Sequence, residues 1–312
     1  MRRLSYEQRD LGYSFALVTA VMVVAALVLD LIFGESFGGW KFWLMQGLYT
    51  AIIGGSAFAY AGIAKVNVFT ATKLNKAPPV SHVLWGCASV VFLVLCMSQI
   101  NNLFLDLIKD MGLSRPSVSL DNNLVGLIIC ACILPAFSEE IVFRGTVAQS
   151  LYNGKSKILA LAASGALFAL FHGNPAQTLH QFVLGAFLTL LVFRSGSLWT
   201  SIIVHFFNNA LVVALSYTPL DSAEFWDLKN NAEWAVPLMV AGIVGFAFCV
   251  FDYLKTTKST WHPAVEDKSQ DEQLSQDNKT PLVLRSKKAS IAMLLVAVAV
   301  CAVLWVSQLL AG

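Results

Sequence analysis

Long apolar stretches separated by short polar connections run along almost the whole chain, and nine of them predict helices: roughly 11–33, 42–64, 81–100, 122–143, 157–171, 178–193, 198–216, 233–254 and 289–311. Crossing the hydrocarbon core of a bilayer takes about 20 apolar residues. Most of the stretches meet that length, and because several are short or polar, eight spans is the alternative count. The pattern breaks over 257–288, which is rich in Lys, Asp, Gln, Ser and Asn, carries Pro263 and Pro281, and has almost no apolar periodicity. That composition predicts a solvated, largely disordered cytoplasmic loop. It sets the last span, 289–311, apart from the others as a peripheral helix. No internal repeat is evident.

Composition makes the membrane reading firm: 57% of residues are hydrophobic, 13% are charged, and the mean hydropathy is +0.67. These values exclude a water-soluble globule and predict an all-α polytopic bundle. Basic residues orient it, because cytoplasmic loops carry the excess of Lys and Arg. With the N-terminus inside, only Lys41, Lys109, Arg115 and Lys229 of the 21 basic residues fall outside, where Asp221, Glu224, Asp227 and Glu233 gather. The expected topology is therefore N-terminus in and C-terminus out. The net charge of +2 is spread over many loops, which excludes a nucleic-acid partner and suits contact with anionic lipid. The first apolar stretch follows Arg2 and Arg3 like a signal peptide. It is too long for one and lacks a small-x-small cleavage site before Gly34, so it reads as a retained anchor. Cys87, Cys96, Cys130, Cys132, Cys249 and Cys301 all lie inside apolar stretches. They read as packing residues, and Cys130-x-Cys132 lacks the spacing of a metal finger.

Candidate chemistry comes from polar groups inside those stretches. Glu139 and Glu140 are adjacent, Arg144 follows, and His172 and His205 lie at successive intervals of thirty-three residues after Glu139. An ionisable group at the centre of a bilayer helix costs roughly 2.5–3.5 kcal/mol, so such groups are kept where they face a cavity or a partner. Residues four apart share a helix face, which pairs Glu140 with Arg144 as an ion pair and leaves Glu139 for chemistry. The same rule puts Phe168 with His172. It also puts His205 with Asn209, although Asn208 is nearly as close in angle, and spacing does not choose between the two amides. Either histidine alone would be ordinary; beside two buried glutamates they form a set.

Such a set can hydrolyse an amide. A partly buried carboxylate takes a proton from water, and a neighbouring imidazole orients that water. A second imidazole and an amide donate to the oxyanion. The alternative is a zinc ion held by a glutamate and two histidines with an open position for water. The common His-Glu-x-x-His helix is absent, so that reading rests on long-range ligands.

These residues resemble the CAAX-protease and bacteriocin-processing family of intramembrane endopeptidases, also called the Abi or type II CAAX prenyl endopeptidase family. Its Glu-Glu-x-x-x-Arg motif reads Glu139, Glu140 and Arg144, flanked by Phe143 and Gly145. Its Phe-x-x-x-His motif reads Phe168 and His172, and its His-x-x-x-Asn motif reads His205 and Asn209, preceded by the typical Gly196 to Trp199 run. The resemblance covers about 122–212. It implies a catalytic chamber inside a helical bundle, with Glu139 as general base, His172 its partner on the water, His205 and Asn209 the oxyanion donors, and Glu140 with Arg144 in support. It implies no cofactor, zinc through Glu139, His172 and His205 being less favoured, and a peptide or protein substrate at the bilayer of a bacterial plasma membrane. The chain then divides into N-terminal helices (1–121), a catalytic core (122–216), an additional helix (217–256), the polar loop (257–288) and a C-terminal helix (289–312). A non-catalytic scaffold or immunity-type protein of the same fold is the competing reading, and a proton-coupled transporter a third. A simple up-down path, however, puts Glu139 in the inner part of its span and His172 near the outer end of the next. The two meet only if a span is tilted, displaced or broken.

Overall fold

A computed structural model describes residues 2–34, 39–111, 123–152, 156–218, 225–226, 228–259 and 286–310. Among them the chain is helical throughout: α1 Asp10–Phe33, α2 Gly39–Ile63, α3 Val80–Asp110, α4 Leu124–Leu151, α5 Lys157–Phe171, α6 Thr178–Ser195, α7 Leu198–Leu215, α8 Leu228–Thr256 and α9 Lys287–Leu310. A helical turn, Val68–Ala71, precedes α3, and a 3₁₀ turn, Pro175–Gln177, leads into α6. Extended pairing among the described residues is limited to one bridge between Arg3 and Val66. The all-α polytopic expectation holds. Most of the stretch 257–288 lies outside the described residues.

Seven helices are long and apolar enough to cross a membrane, fewer than the eight or nine expected. The two that fall short do so for different reasons. Helix α2 has 25 residues, but Gly47, Gly54, Gly55, Ser56 and Gly62 dilute its hydropathy. Helix α5 is apolar but has only 15 residues, about 22 Å at the usual rise against a hydrocarbon core of about 30 Å. Two boundaries also move outward. Helix α3 continues to Asp110, and α4 runs past the expected end at 143 to Leu151. Helix α4 does not stop at Arg144 because that charge is neutralised inside the bundle, as described below. Pro135 lies within α4 and is preceded by a π-helical stretch, Leu127–Ile133, the local widening that accommodates a residue with no N–H.

Two apolar clusters hold the bundle. One joins α1, α2, α4 and α5 through Phe15, Val18, Ile53, Ile141, Phe143 and Phe168. The other joins α3, α6 and α7 through Val90, Leu93, Leu184, Leu188, Leu191 and Val204. Leu27, Leu31, Val244, Phe248 and Val296 point outward and exposed, as a lipid-facing surface requires and an aqueous one would not sustain. Helix α9 lies along the outside of α1, where the Gly12 N–H donates to Ser290 Oγ at 3.1 Å. At the N-terminus, Arg3 forks onto the buried Asp10 at 2.9 and 3.0 Å, and Tyr60 of α2 donates to the same carboxylate at 2.7 Å. Within that cluster, burial pushes the Tyr6 phenol up to about 12, so the ring stays neutral there.

Helices α5 and α6 form a hairpin whose backbones touch. A Cβ added at Gly165 would sit 2.5 Å from the Phe182 carbonyl oxygen, and one at Gly185 would sit 3.0 Å from Gly165 Cα. Ser164 and Thr189 share a hydrogen bond beside this contact, at 2.8 Å. Small residues let membrane helices approach this closely, and the contact locks the short α5 in place. We therefore expect Gly165→Val to splay the hairpin and destabilise the protein by about 1–3 kcal/mol, read as a lowered Tm in detergent. An unchanged Tm would show that the hairpin can widen freely.

Candidate active site

The glutamate pair sits near the middle of α4, not at one end, because the helix extends to Leu151. His172 arrives at the same level because α5 is short and stops inside the bundle. Both changes to the expected boundaries act in the same direction and bring His172 to Glu139. After His172 the chain turns through Gly173, whose φ of +59° is the left-handed region, and Asn174 caps the 3₁₀ turn by accepting from the Ala176 N–H at 2.8 Å. Asn101 of α3 donates to the Ala176 carbonyl at 2.7 Å, and Trp305 of α9 donates to Thr178 Oγ1 at 2.7 Å. Irregular backbone at membrane depth is tolerated where protein satisfies it or where it lines a cavity; this corner does both.

Glu140 and Arg144 are fully buried and paired, with Arg144 Nη1 2.6 Å from Glu140 Oε1. The pair is not self-contained. His205 Nδ1 reaches the same Glu140 oxygen at 2.8 Å, so Glu140 also orients the histidine of α7. The Arg144 guanidinium lies 4.0 Å from the centre of the Phe168 ring, a favourable cation–π placement. Phe168 in turn packs edge to face with His172, ring centres 4.6 Å apart, and with His205 at 6.0 Å. One aromatic side chain thus spaces both imidazoles and covers the buried cation.

Hydrogen bonding fixes which ring nitrogens face the open space. His205 Nδ1 must donate to the Glu140 carboxylate, and His172 Nδ1 must donate to the Phe168 carbonyl at 2.8 Å, since both partners can only accept. Each Nε2 is left to face Glu139 Oε2, at 3.7 Å from His172 and 3.9 Å from His205. Glu139 keeps 19% of its side chain exposed, whereas Glu140 has none. Glu139 is therefore the carboxylate that can meet water.

These groups line a cavity of 580 Å³. Its polar end carries Glu139, His172, His180, His205, Asn208 and Asn209, and its apolar walls include Val94, Met97, Leu127 and Val213. Both candidate amides are present with different partners: Asn209 Nδ2 donates to the Ala131 carbonyl at 3.0 Å, and Asn208 Nδ2 donates to Asn209 Oδ1 at 3.0 Å. His180 escaped sequence reasoning. It sits in the first turn of α6 between Leu179 and Gln181, where a polar residue reads as interfacial until α5 is known to be short.

A zinc ion in the arrangement considered above would need its donor atoms about 3.4 Å apart, given bonds near 2.0–2.1 Å and tetrahedral angles. The Glu139 oxygen stands farther than that from either imidazole nitrogen. Among the described residues, no group of three or more His, Cys, Asp or Glu could hold a metal ion.

Comparison with known proteins places this core. Residues 121–211 match the family described as Type II CAAX prenyl endopeptidase Rce1-like, which bears out the resemblance read from the motifs over α4 to α7. The chain is also 27% identical over 94 residues to "Putative membrane peptidase YdiL" of Bacillus subtilis (strain 168), covering 30% of this chain and 38% of that protein. The chain thus spans well under half the length of that relative. No solved structure matches the chain. The protein is an integral membrane protein whose core is similar to a family of membrane proteases.

Removing Arg144 leaves Glu140 charged and buried without its cation. Breaking a buried pair in this way costs about 3–5 kcal/mol. Arg144→Ala should therefore lower stability by that order in thermal unfolding in detergent, and a variant as stable as the parent would contradict the buried-pair description.

Proposed function

We propose that the protein is an intramembrane endopeptidase that hydrolyses peptide bonds of membrane-associated substrates with a water activated by Glu139. The observation that carries this reading is the convergence of two imidazole Nε2 atoms on one partly exposed carboxylate oxygen, at 3.7 and 3.9 Å, inside a cavity with apolar walls. Both separations exceed a direct hydrogen bond, and the partly exposed carboxylate opens onto the cavity from which water reaches it.

In the reaction, Glu139 takes a proton from the water while His172 Nε2 accepts its other hydrogen and orients it. The hydroxide oxygen adds to the scissile carbonyl carbon. The carbonyl oxygen becomes an oxyanion that accepts from His205 Nε2–H and from an Asn209 N–H. Donation by His205 requires both of its ring nitrogens to be protonated, with Nδ1 held on Glu140. Collapse of the intermediate breaks the C–N bond, and the proton on Glu139 passes to the departing nitrogen. The products are a carboxylic acid and an amine, the acid then passing its proton to the amine to give carboxylate and ammonium, and Glu139 returns to its starting state. No step uses a metal, so a zinc chelator should leave the rate unchanged.

Apolar walls beside a polar end suit a peptide presented from the bilayer. A prenylated or bacteriocin-type substrate is what the family resemblance adds. The basic residues of the loops support a cytoplasmic N-terminus, and the likeness to a Bacillus subtilis protein supports a bacterial plasma membrane.

The test compares new peptide termini in the membrane proteome of cells carrying the parent or Glu139→Gln at matched levels. Termini present with the parent and lost with the variant, while the variant keeps its Tm, are the expected result. Identical termini with both proteins well folded would instead favour a non-catalytic scaffold.

A further inference from the structure

The amide pair on α7 belongs to a hydrogen-bonded chain whose direction can be read from one end. The Ala131 carbonyl on α4 can only accept. Pro135, four residues on, has no N–H to offer it, and the Asn209 side chain supplies a donor from Nδ2 at 3.0 Å. Asn209 is thereby fixed with Oδ1 toward its neighbour, and Asn208 must present Nδ2 to it, again at 3.0 Å. Asn208 is then fixed in turn, with Oδ1 facing His180 Nε2 at 3.2 Å. A carbonyl-type oxygen accepts, so His180 must donate through Nε2–H. The chain crosses α4, α7 and α6, and Asn208 is almost fully buried at 3% exposure.

We propose that His180 is a positioning residue that steadies the oxyanion-binding amide, by holding Asn208 firmly against Asn209 in the orientation that Ala131 dictates. This rests on the proposed peptidase reading. In that orientation Asn209 has one Nδ2–H on Ala131 and Oδ1 on Asn208, which leaves its second N–H as the group it can offer to the cavity. Without a donor at position 180, the buried Asn208 Oδ1 loses its partner, and Asn208 shifts to regain one. That shift stretches the Asn208 Nδ2 contact to Asn209 Oδ1 and loosens the amide. Stabilisation of the oxyanion falls, whereas contacts along the rest of the substrate are untouched.

Two measurements test this, and the first does not depend on proteolysis. In protein labelled with heavy nitrogen at its five histidines and reconstituted in lipid, the resonance that disappears in His180→Gln reports the protonation of the His180 ring. A protonated Nε2 is expected; an unprotonated Nε2 overturns the proposal. The second uses a peptide that the parent cleaves and Glu139→Gln does not. Glutamine at position 180 keeps an N–H in reach of Asn208, so His180→Gln should stay within about threefold of the parent. His180→Leu should lose about tenfold or more in kcat with KM nearly unchanged, below the ceiling of about 10²–10³ for outright removal of an oxyanion donor. Equal losses in both variants, or no loss with leucine in a protein of parental Tm, would overturn the positioning role. If no peptide is cleaved by the parent, the peptidase reading fails by itself, and the ring protonation still decides whether the chain of hydrogen bonds has the stated direction.

Discussion

Everything in the site depends on how the Glu140 carboxylate is used. It is fully buried, and one of its oxygens is shared between Arg144 at 2.6 Å and His205 at 2.8 Å. A buried carboxylate is tolerable only with such partners, and the partners reach outward. Arg144 lies on Phe168, which spaces His172 and fixes the end of α5. His205 is held by Nδ1 and so faces the cavity with Nε2. Because Glu140 satisfies the arginine and orients the histidine, Glu139 is not consumed by either and can act on water. Two adjacent residues of one chemical type thus have separate duties, set by the rotation of about 100° between them on a helix.

The second determinant is the shortness of α5. A helix that cannot cross the hydrocarbon ends inside it, and its polar corner must then be satisfied by protein. Asn174, Asn101 and Trp305 do so, and two of these lie outside the stretch that matches the protease family, in α3 and α9. The corner of the family-like core is therefore held in place by helices beyond it. Close backbone packing at Gly165 and Gly185 keeps the short helix against α6, so the corner delivers His172 and His180 to the same cavity.

Much of this was legible in the sequence. The apolar stretches of α1, α6, α7 and α9 were placed to within a few residues, and the four-residue spacing of Glu140 and Arg144 correctly predicted their pairing. The part that was not legible depends on tertiary context. Hydropathy could not show that Arg144 is neutralised in the interior, so α4 was ended too early. The stretch 157–171 is visibly short of a span, but hydropathy does not show that its end is held inside the bundle, which is what sets the depth of His172. Spacing does not choose between Asn208 and Asn209 because both face the cavity; the hydrogen-bond direction of the pair comes from the Ala131 carbonyl, which no sequence pattern reveals. His180 itself carries no motif, and its signal is the polar start of α6 beside a helix that stops early.

In the proposed reaction Glu139 delivers water, not itself, to the scissile carbonyl. Cleavage of a substrate peptide in water enriched in heavy oxygen, followed through a single turnover by mass spectrometry, tests this directly. One heavy oxygen is expected in the new C-terminal carboxylate and none in the peptide that contains Glu139. Heavy oxygen on Glu139, or a substrate fragment trapped on it as an anhydride, would mean that the carboxylate attacks as a nucleophile and that water is not the attacking group.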